Sequence, residues 1–250
     1  MCRFRTFPPV GWEWSGTCAP AAVFSGMRAV GSGSAPAQPC RDEDELMAAV
    51  LALHSSSEVL GVGVRWLDGP SALAGSTVVR AFPLGRELSN QLFSCVEQLL
   101  PAEQWPQLSR LAVATGPGGF TGTRLTVVLA RTLAQQLQLP LDGVGSFLLV
   151  ARRLGIGEPT WLVQELPRRG VVAGLYAPAG PDRAIIELQA PRLFAPDTPL
   201  PPGPQLSAAA LLPNDVEQLL ELSVQAADQG LAAPWQPVLP SYPTSPVAGL

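Results

Sequence analysis

"LAVATGPGGFTGTR", residues 111–124, decides how this chain is read. The apolar run Leu111–Thr115 has the make-up of a buried strand. Beyond the glycines, Leu125, Val128, Leu129, Leu133 and Leu137 recur at helical spacing until Pro140 stops them. "GPGGFTG" (Gly116–Gly122) is therefore a strand-to-helix turn leading into a helix expected near Arg124. At such a turn, backbone N–H groups and the positive end of a helix can receive an anion, and Thr121 and Thr123 add hydroxyl donors. The turn is no P-loop, because that motif ends in Gly-Lys-Ser/Thr and all 16 basic residues of this chain are arginines. A dinucleotide fingerprint fits poorly as well. Pro117 removes a backbone donor, and Asp142 begins the next strand instead of ending it. Gly116, Gly118, Gly119, Thr121 and Gly122 remain the residues through which the turn could touch an anion or nucleotide, beside the plainer reading of a tight turn with close helix packing.

Outward from the turn, the pattern is orderly. "LALHSSSEVLGVGV" (51–64) reads as a strand, a polar turn from His54 to Glu58 and a second strand, and Thr77–Phe82 as a third. Between Arg86 and Leu100, Leu88, Leu92, Phe93, Val96, Leu99 and Leu100 recur at helical spacing, and Leu141–Val144 is a short strand after the second helix. Trp161–Leu166, Val171–Tyr176 and Ala184–Leu188 are candidate strands, and Arg192–Gln205 is a proline-rich connection. A last helix is capped by Asn214, with Glu217 three residues on, and ends at Gly230. The tail "PWQPVLPSYPTSPVAG" has too many prolines for a helix or central strand and should run extended over the surface.

Composition removes several function classes. With 250 residues, 47% of them hydrophobic, the chain can bury a substantial core. A net charge of −4 argues against autonomous binding of nucleic acid, which normally shows a basic footprint. The missing lysines exclude Schiff-base chemistry and a kinase lysine. His54 is the single histidine and Cys2, Cys18, Cys40 and Cys95 show no CxxC spacing, so no metal site and no disulfide framework is signalled. No apolar run reaches the roughly 20 residues of a membrane span, and a cytoplasmic location is expected.

Residues 1–46, with Trp12, Trp14, "GSGSAPAQP" and Asp42–Glu45, show no sustained period. They are expected to be a disordered arm or an extension from a mis-assigned start, with Met47 as the true beginning. Residues 47–155 then form an N-terminal subdomain holding the glycine loop, and residues 156–250 a smaller, proline-rich C-terminal subdomain with an extended tail.

Residues 111–154 resemble the TsaB family, whose pattern is a strand, G-P-G-S-F-T-G-[VL]-R, a helix, and P-[LI]-x-G-V-[ST]-[ST]-L. Gly116, Pro117, Gly118, Phe120, Thr121, Gly122 and Arg124 match position by position, while Gly119 stands in place of the usual serine. Residues 51–64 and 86–100 resemble the family's opening hairpin and first helix, and "PVLPSYPTSPVAG" its terminal P-x-Y-[LV]-R. The resemblance implies an α/β fold of the actin-like (ASKHA, RNase H-like) class, with two related domains, the first built on a mixed five-stranded sheet. It also implies a non-catalytic subunit in tRNA N6-threonylcarbamoyladenosine formation at adenosine 37. Such a subunit pairs with TsaD, acts with TsaE and reaches tRNA only through the complex; the surplus apolar faces of the helices 86–100 and 124–138 are expected to meet TsaD, or a second copy of this chain when TsaD is absent.

The departures agree with an inactive subunit. His54 stands where active members carry a nucleotide-positioning aspartate, and Leu88 where a family histidine sits. No catalytic residue and no metal ligand is carried over. No cofactor is required, and ATP or ADP is expected at most at the complex interface. The partner surface is assigned to the helices 86–100 and 124–138, through Leu88, Leu92, Val96, Arg124, Val128, Arg131 and Thr132. A glycoprotease-like hydrolase and a small-molecule kinase of the same superfamily are the alternatives. His54-Ser55-Ser56-Ser57 offers neither a triad nor a zinc site for the first, and lacks the aspartate for the second.

Overall fold

Alternation along the first hairpin sorts large side chains from small ones, and this sorting organises the fold. In the computed structural model, which describes residues 48–68 and 74–243, β1 (Ala48–His54) pairs antiparallel with β2 (Val59–Asp68), and β2 with β3 (Thr77–Pro83). Parallel to β1 lies β4 (Leu108–Ala114), and parallel to β4 lies β5 (Leu141–Val144), giving a mixed five-stranded sheet ordered β3-β2-β1-β4-β5. One face presents Leu51, Leu53, Leu60, Val62, Leu111 and Val113 to α1 (Leu88–Glu97) and α2 (Phe120–Leu137). The other face carries Val50, Ala52, Ala112 and Ala114. Against these small groups seat Leu149 of α3 (Ser146–Leu154) and Val216, Leu219 and Leu220 of α4 (Asn214–Asp228). Glycine in β2 is needed for that approach, since a Cβ at Gly63 would stand 2.6 Å from a Val216 methyl.

The second sheet repeats the plan of the first. β6 (Thr160–Leu166), β7 (Gly170–Ala179) and β8 (Ala184–Phe194) form an antiparallel meander, and β9 (Gln205–Ser207) lies parallel to β6, in the order β8-β7-β6-β9. Pairing sense and order match β3-β2-β1-β4. Among the described residues, this sheet has no helix between its third and fourth strands and no fifth strand. Phe147, Val150 and Ala151 of α3 pack on this sheet with Leu162, Val172 and Tyr176. α3 therefore touches both cores.

A buried arginine ties β4, β5 and the segment after α4 together. The Arg110 guanidinium, 6% exposed, donates from Nε and Nη2 to the two carboxylate oxygens of Asp142 at 2.7 and 2.9 Å, and to the Leu231 carbonyl at 3.1 Å. Ser223 of α4 donates to Asp142 at 2.6 Å. Asp142 is thus spent on structure. Further along, Leu141 donates its N–H to the Ala233 carbonyl and Ser241 donates to the Thr115 carbonyl, while Val238 is buried in the first core. As far as Pro243, the last described residue, the tail runs without helix or strand, past β5 and back to the glycine loop.

Several boundaries differ from the sequence reading. α2 begins at Phe120, four residues before Arg124, because the chain turns helical inside the glycine motif. The connection expected from Arg192 is strand as far as Phe194, since Val171 and Val172 pair with the end of β8. Pro213, not Asn214, is the N-cap of α4. Asp215 instead accepts the N–H of Leu211, closing the turn before the helix. α3 and β9 have no counterpart in the sequence reading. The expectations for residues 1–46 lie outside the described residues.

Replacing Arg110 with leucine leaves the Asp142 carboxylate without its guanidinium in a site only 15% exposed. Urea unfolding should show a loss of about 3 kcal/mol, the usual cost of breaking a buried pair from one side.

Candidate functional site

The glycine loop sits directly on the turn of the first hairpin. Gly119 donates its N–H to the Ser56 carbonyl at 2.7 Å. A Cβ on Gly118 would fall inside the Ser56 backbone, and one on Gly122 would lie 2.6 Å from the Ser55 carbonyl oxygen. Below this contact the hydroxyls of Ser55 and Thr126 share a 2.8 Å hydrogen bond, and those of Ser56 and Ser146 share another. From the far side, Ser146 donates its N–H to the Gly116 carbonyl at 2.7 Å. Gly116 has φ +97°, a left-handed conformation that favours glycine, and a Cβ there would stand 2.9 Å from the Ser241 carbonyl oxygen of the tail. Hairpin, α3 and tail thus hold the loop from three directions.

Only part of the expected anion-contact set faces open space. Gly119, Thr121 and Gly122 line a cavity of about 730 Å³ between the start of α2 and the start of α1, together with Ser57, Arg86 and Ser89. Gly116 and Gly118 do not line it. Their missing side chains are used for packing on Ser241 and Ser56. The cavity offers hydroxyls, one guanidinium and the first N–H groups of α2, with the Glu58 carboxylate on the same wall.

His54 ends β1 and is fully buried. Its Nδ1 accepts the Ser56 N–H at 3.4 Å, and Nε2 has no partner among the described residues. Burial pushes the imidazole pKa down to about 4, an effect partly offset by the Asp215 carboxylate. That carboxylate pairs with Arg153 at 2.6 Å. Neither ring nitrogen hydrogen-bonds a serine hydroxyl among the described residues. No group of three His, Cys, Asp or Glu side chains among the described residues is placed to hold a metal ion.

On the paired helices, the proposed surface residues divide. Leu88, Leu92 and Val96 are buried in the first core and belong to no surface, because helical spacing selects the stripe that faces the sheet. Arg124, Val128 and Thr132 are exposed, Val128 by 53%. Half-buried Arg131 lies over the Trp235 ring at 5.6 Å. The surface also includes aromatic groups outside the predicted set. Phe93 is 55% exposed on α1 with Trp105 beside it at 6.4 Å, and Phe120 stacks on Tyr242 at 4.7 Å. Phe93 was signalled by its position one residue off the Leu88, Leu92, Val96 stripe, where an aromatic side chain has no core to enter.

A mixed sheet whose order and pairing recur in a second sheet, with helices on both faces of the first, defines an α/β protein of actin-like organisation. A crystal structure from Pseudomonas aeruginosa, described as an uncharacterized protein with similarity to peptidase YeaZ, superposes with a TM-score of 0.61 at 21% identity. It covers 79% of this chain and 100% of that one, and its likeness speaks for the fold. Residues 84–166, from the approach to α1 through β6, match the family "TsaD: tRNA N6-adenosine threonylcarbamoyltransferase". The chain is 35% identical over 103 residues to the tRNA threonylcarbamoyladenosine biosynthesis protein TsaB of Bacillus subtilis, covering 39% of this chain and 41% of that protein. Against the Escherichia coli protein of the same name it is 30% identical over 106 residues, covering 41% and 42%. Together these likenesses support the TsaB family for this chain. The matches span about two fifths of the length of the curated relatives.

Two measurements probe this site. Gly118→Ala should destabilise the fold by about 2 kcal/mol in chemical unfolding, as overpacking against backbone does. Gly119→Ala, whose Cβ would meet nothing closer than 3.8 Å, should cost under about 1 kcal/mol. The second concerns His54. Between pH 6.5 and about 4 the unfolded chain binds a proton that the folded chain refuses, so stability falls as pH drops through that window, by about 3 kcal/mol in all. Unfolding titrations of His54→Asn, compared with the parent at each pH, should lack this part of the slope.

Proposed function

We propose that this chain is the non-catalytic subunit of a complex forming N6-threonylcarbamoyladenosine in tRNA, and that it binds and activates a TsaD partner. The observation that carries this reading is the apolar surface left on two adjacent helices. Phe93 of α1 and Val128 of α2 are each more than half exposed, within the segment that matches the TsaD-type family. Exposed apolar groups grouped on one face mark docking surfaces, and an interface of roughly 1,200–2,000 Å² is usual for such pairs. Arg124 and Thr132 lie on the same helix and supply a polar rim.

In this reading TsaD holds the nucleotide and performs the transfer, TsaE joins the assembly, and two copies of this chain pair through the same face when TsaD is absent. ATP or ADP is met only at the complex interface, where the cavity beside Thr121 and Arg86 opens. A protein assembled this way reaches tRNA through its partner, in keeping with its net charge of −4, and acts in the cytoplasm. No helix among the described residues is long and apolar enough to cross a membrane. The hydrolase and kinase alternatives have less support, since His54 hydrogen-bonds no hydroxyl among the described residues and stands where a nucleotide-positioning aspartate would be needed.

Co-purification of the full chain with its cognate TsaD, with and without ATP, tests the proposal. Val128→Arg and Phe93→Glu should each weaken the complex by about tenfold or more, with circular dichroism unchanged, as charges placed in an interface core do. Failure to form any complex, or variants that bind like the parent, would overturn the assignment of this face.

A further inference from the structure

A second cavity, of about 680 Å³, lies where the last turn of α3, the turn between β7 and β8 and one side of α4 come together. It shares no lining residue with the cavity at the glycine loop. Two guanidiniums line it, those of Arg152 and Arg183, and Ile156 gives it an apolar wall. Gln218 and Gln225 of α4 line it together with Gln229 at the helix C-cap, at spacings of seven and four residues that place their amides on one stripe.

Arg152 is poorly paired for a buried cation. Its side chain is 14% exposed, its Nε–H is buried with no acceptor among the described residues, and its single ion pair, to half-exposed Glu221, is long at 3.6 Å. That separation exceeds ordinary hydrogen-bond length, and a buried donor without an acceptor is costly. Neighbouring Arg153 shows the contrast. It reaches Asp215 at 2.6 Å and the Ala209 carbonyl at 2.9 Å, so the negative end of α3 already has its compensating cation. Arg183 is held in place by one bond, from Nη2 to the Gly157 carbonyl at 3.1 Å, and a guanidinium has five N–H groups to give. The Asp182 carboxylate also lines the cavity, and favours a ligand that carries a hydrogen-bond donor near its anionic group.

We infer that this cavity binds a small organic oxyanion, its carboxylate or phosphate head between Arg152 and Arg183 and its polar body along the α4 glutamines. Arginine suits both heads, because its planar fork matches their oxygens two at a time. Glu221 then acts as the internal competitor for Arg152 and is displaced when the ligand enters. The site is independent of the helices α1 and α2, so it stands or falls separately from the TsaD pairing proposed above.

Isothermal titration of the full chain at low ionic strength, with inorganic phosphate in one arm, succinate in the other and chloride as the reference, tests the inference. Saturable binding is expected in at least one arm, and the arm that binds identifies the head group. Arg152→Gln and Arg183→Gln should each weaken it by about tenfold, the effect of one charged hydrogen-bonding group. Glu221→Gln, at a half-exposed position that leaves the fold alone, should tighten it severalfold by removing the competitor. Absence of saturation in both arms below about 10 mM, a range in which weak specific sites already fill, would overturn the site. Binding that survives in the Arg152→Gln, Arg183→Gln double variant would overturn it equally.

Discussion

Two backbones can lie against each other only where side chains are missing, and the molecule depends on one such place. The turn at Ser55 and Ser56 and the loop from Gly116 to Gly122 meet carbonyl to glycine, closed by the 2.7 Å bond from the Gly119 N–H. This contact sets where α2 begins and how it crosses the sheet. The line of α2 in turn decides that Leu133 and Ala134 point inward while Val128 points out. The docking face is therefore a remote product of a backbone contact. The glycines act by being small, and two of the four that sequence reading offered to an anion, Gly116 and Gly118, have no room left for one.

Charge is used sparingly and structurally in this chain. Arg110 and Arg153 each clamp an aspartate and a carbonyl, so that a single planar group satisfies acceptors on two separate segments. His54, enclosed beside Asp215, stays neutral at ordinary pH because solvation lost on burial outweighs the nearby carboxylate. The Glu58 carboxylate, by contrast, is exposed at the hairpin turn and lies on the cavity wall.

Much of the first sheet was legible because alternation and helical spacing report burial directly. β1 and β2 were marked by apolar runs on either side of the polar turn at His54–Glu58, β3 by the apolar stretch after Thr77, and the glycine loop by its strand before and helix after. α3 was not legible, because its run Phe147–Ala151 is wedged between two cores and reads as continuous apolar sequence without a polar stripe. β9 is three residues long and takes its pairing from β6, so nothing local declares it. The same logic explains the misplaced surface residues. Counting apolar positions at helical spacing finds what faces the core, and Leu88, Leu92 and Val96 were found for that reason. Phe93 was counted in the same helical pattern, but it sits one residue off the Leu88, Leu92, Val96 stripe and is exposed.

α4 belongs to the end of the chain and yet roofs the oldest part of it. Val216, Leu219 and Leu220 close the face of β1 and β4 made by Val50, Ala52, Ala112 and Ala114, more than 100 residues upstream. As the chain leaves the ribosome, the first sheet has one finished side and one bare side until the second sheet has been made. A truncated product stopping after α3 would keep most of that side bare, with only Leu149 of α3 set against Val50, Ala52, Ala112 and Ala114. Such a product would be prone to self-association, so early termination should yield aggregates rather than a working half.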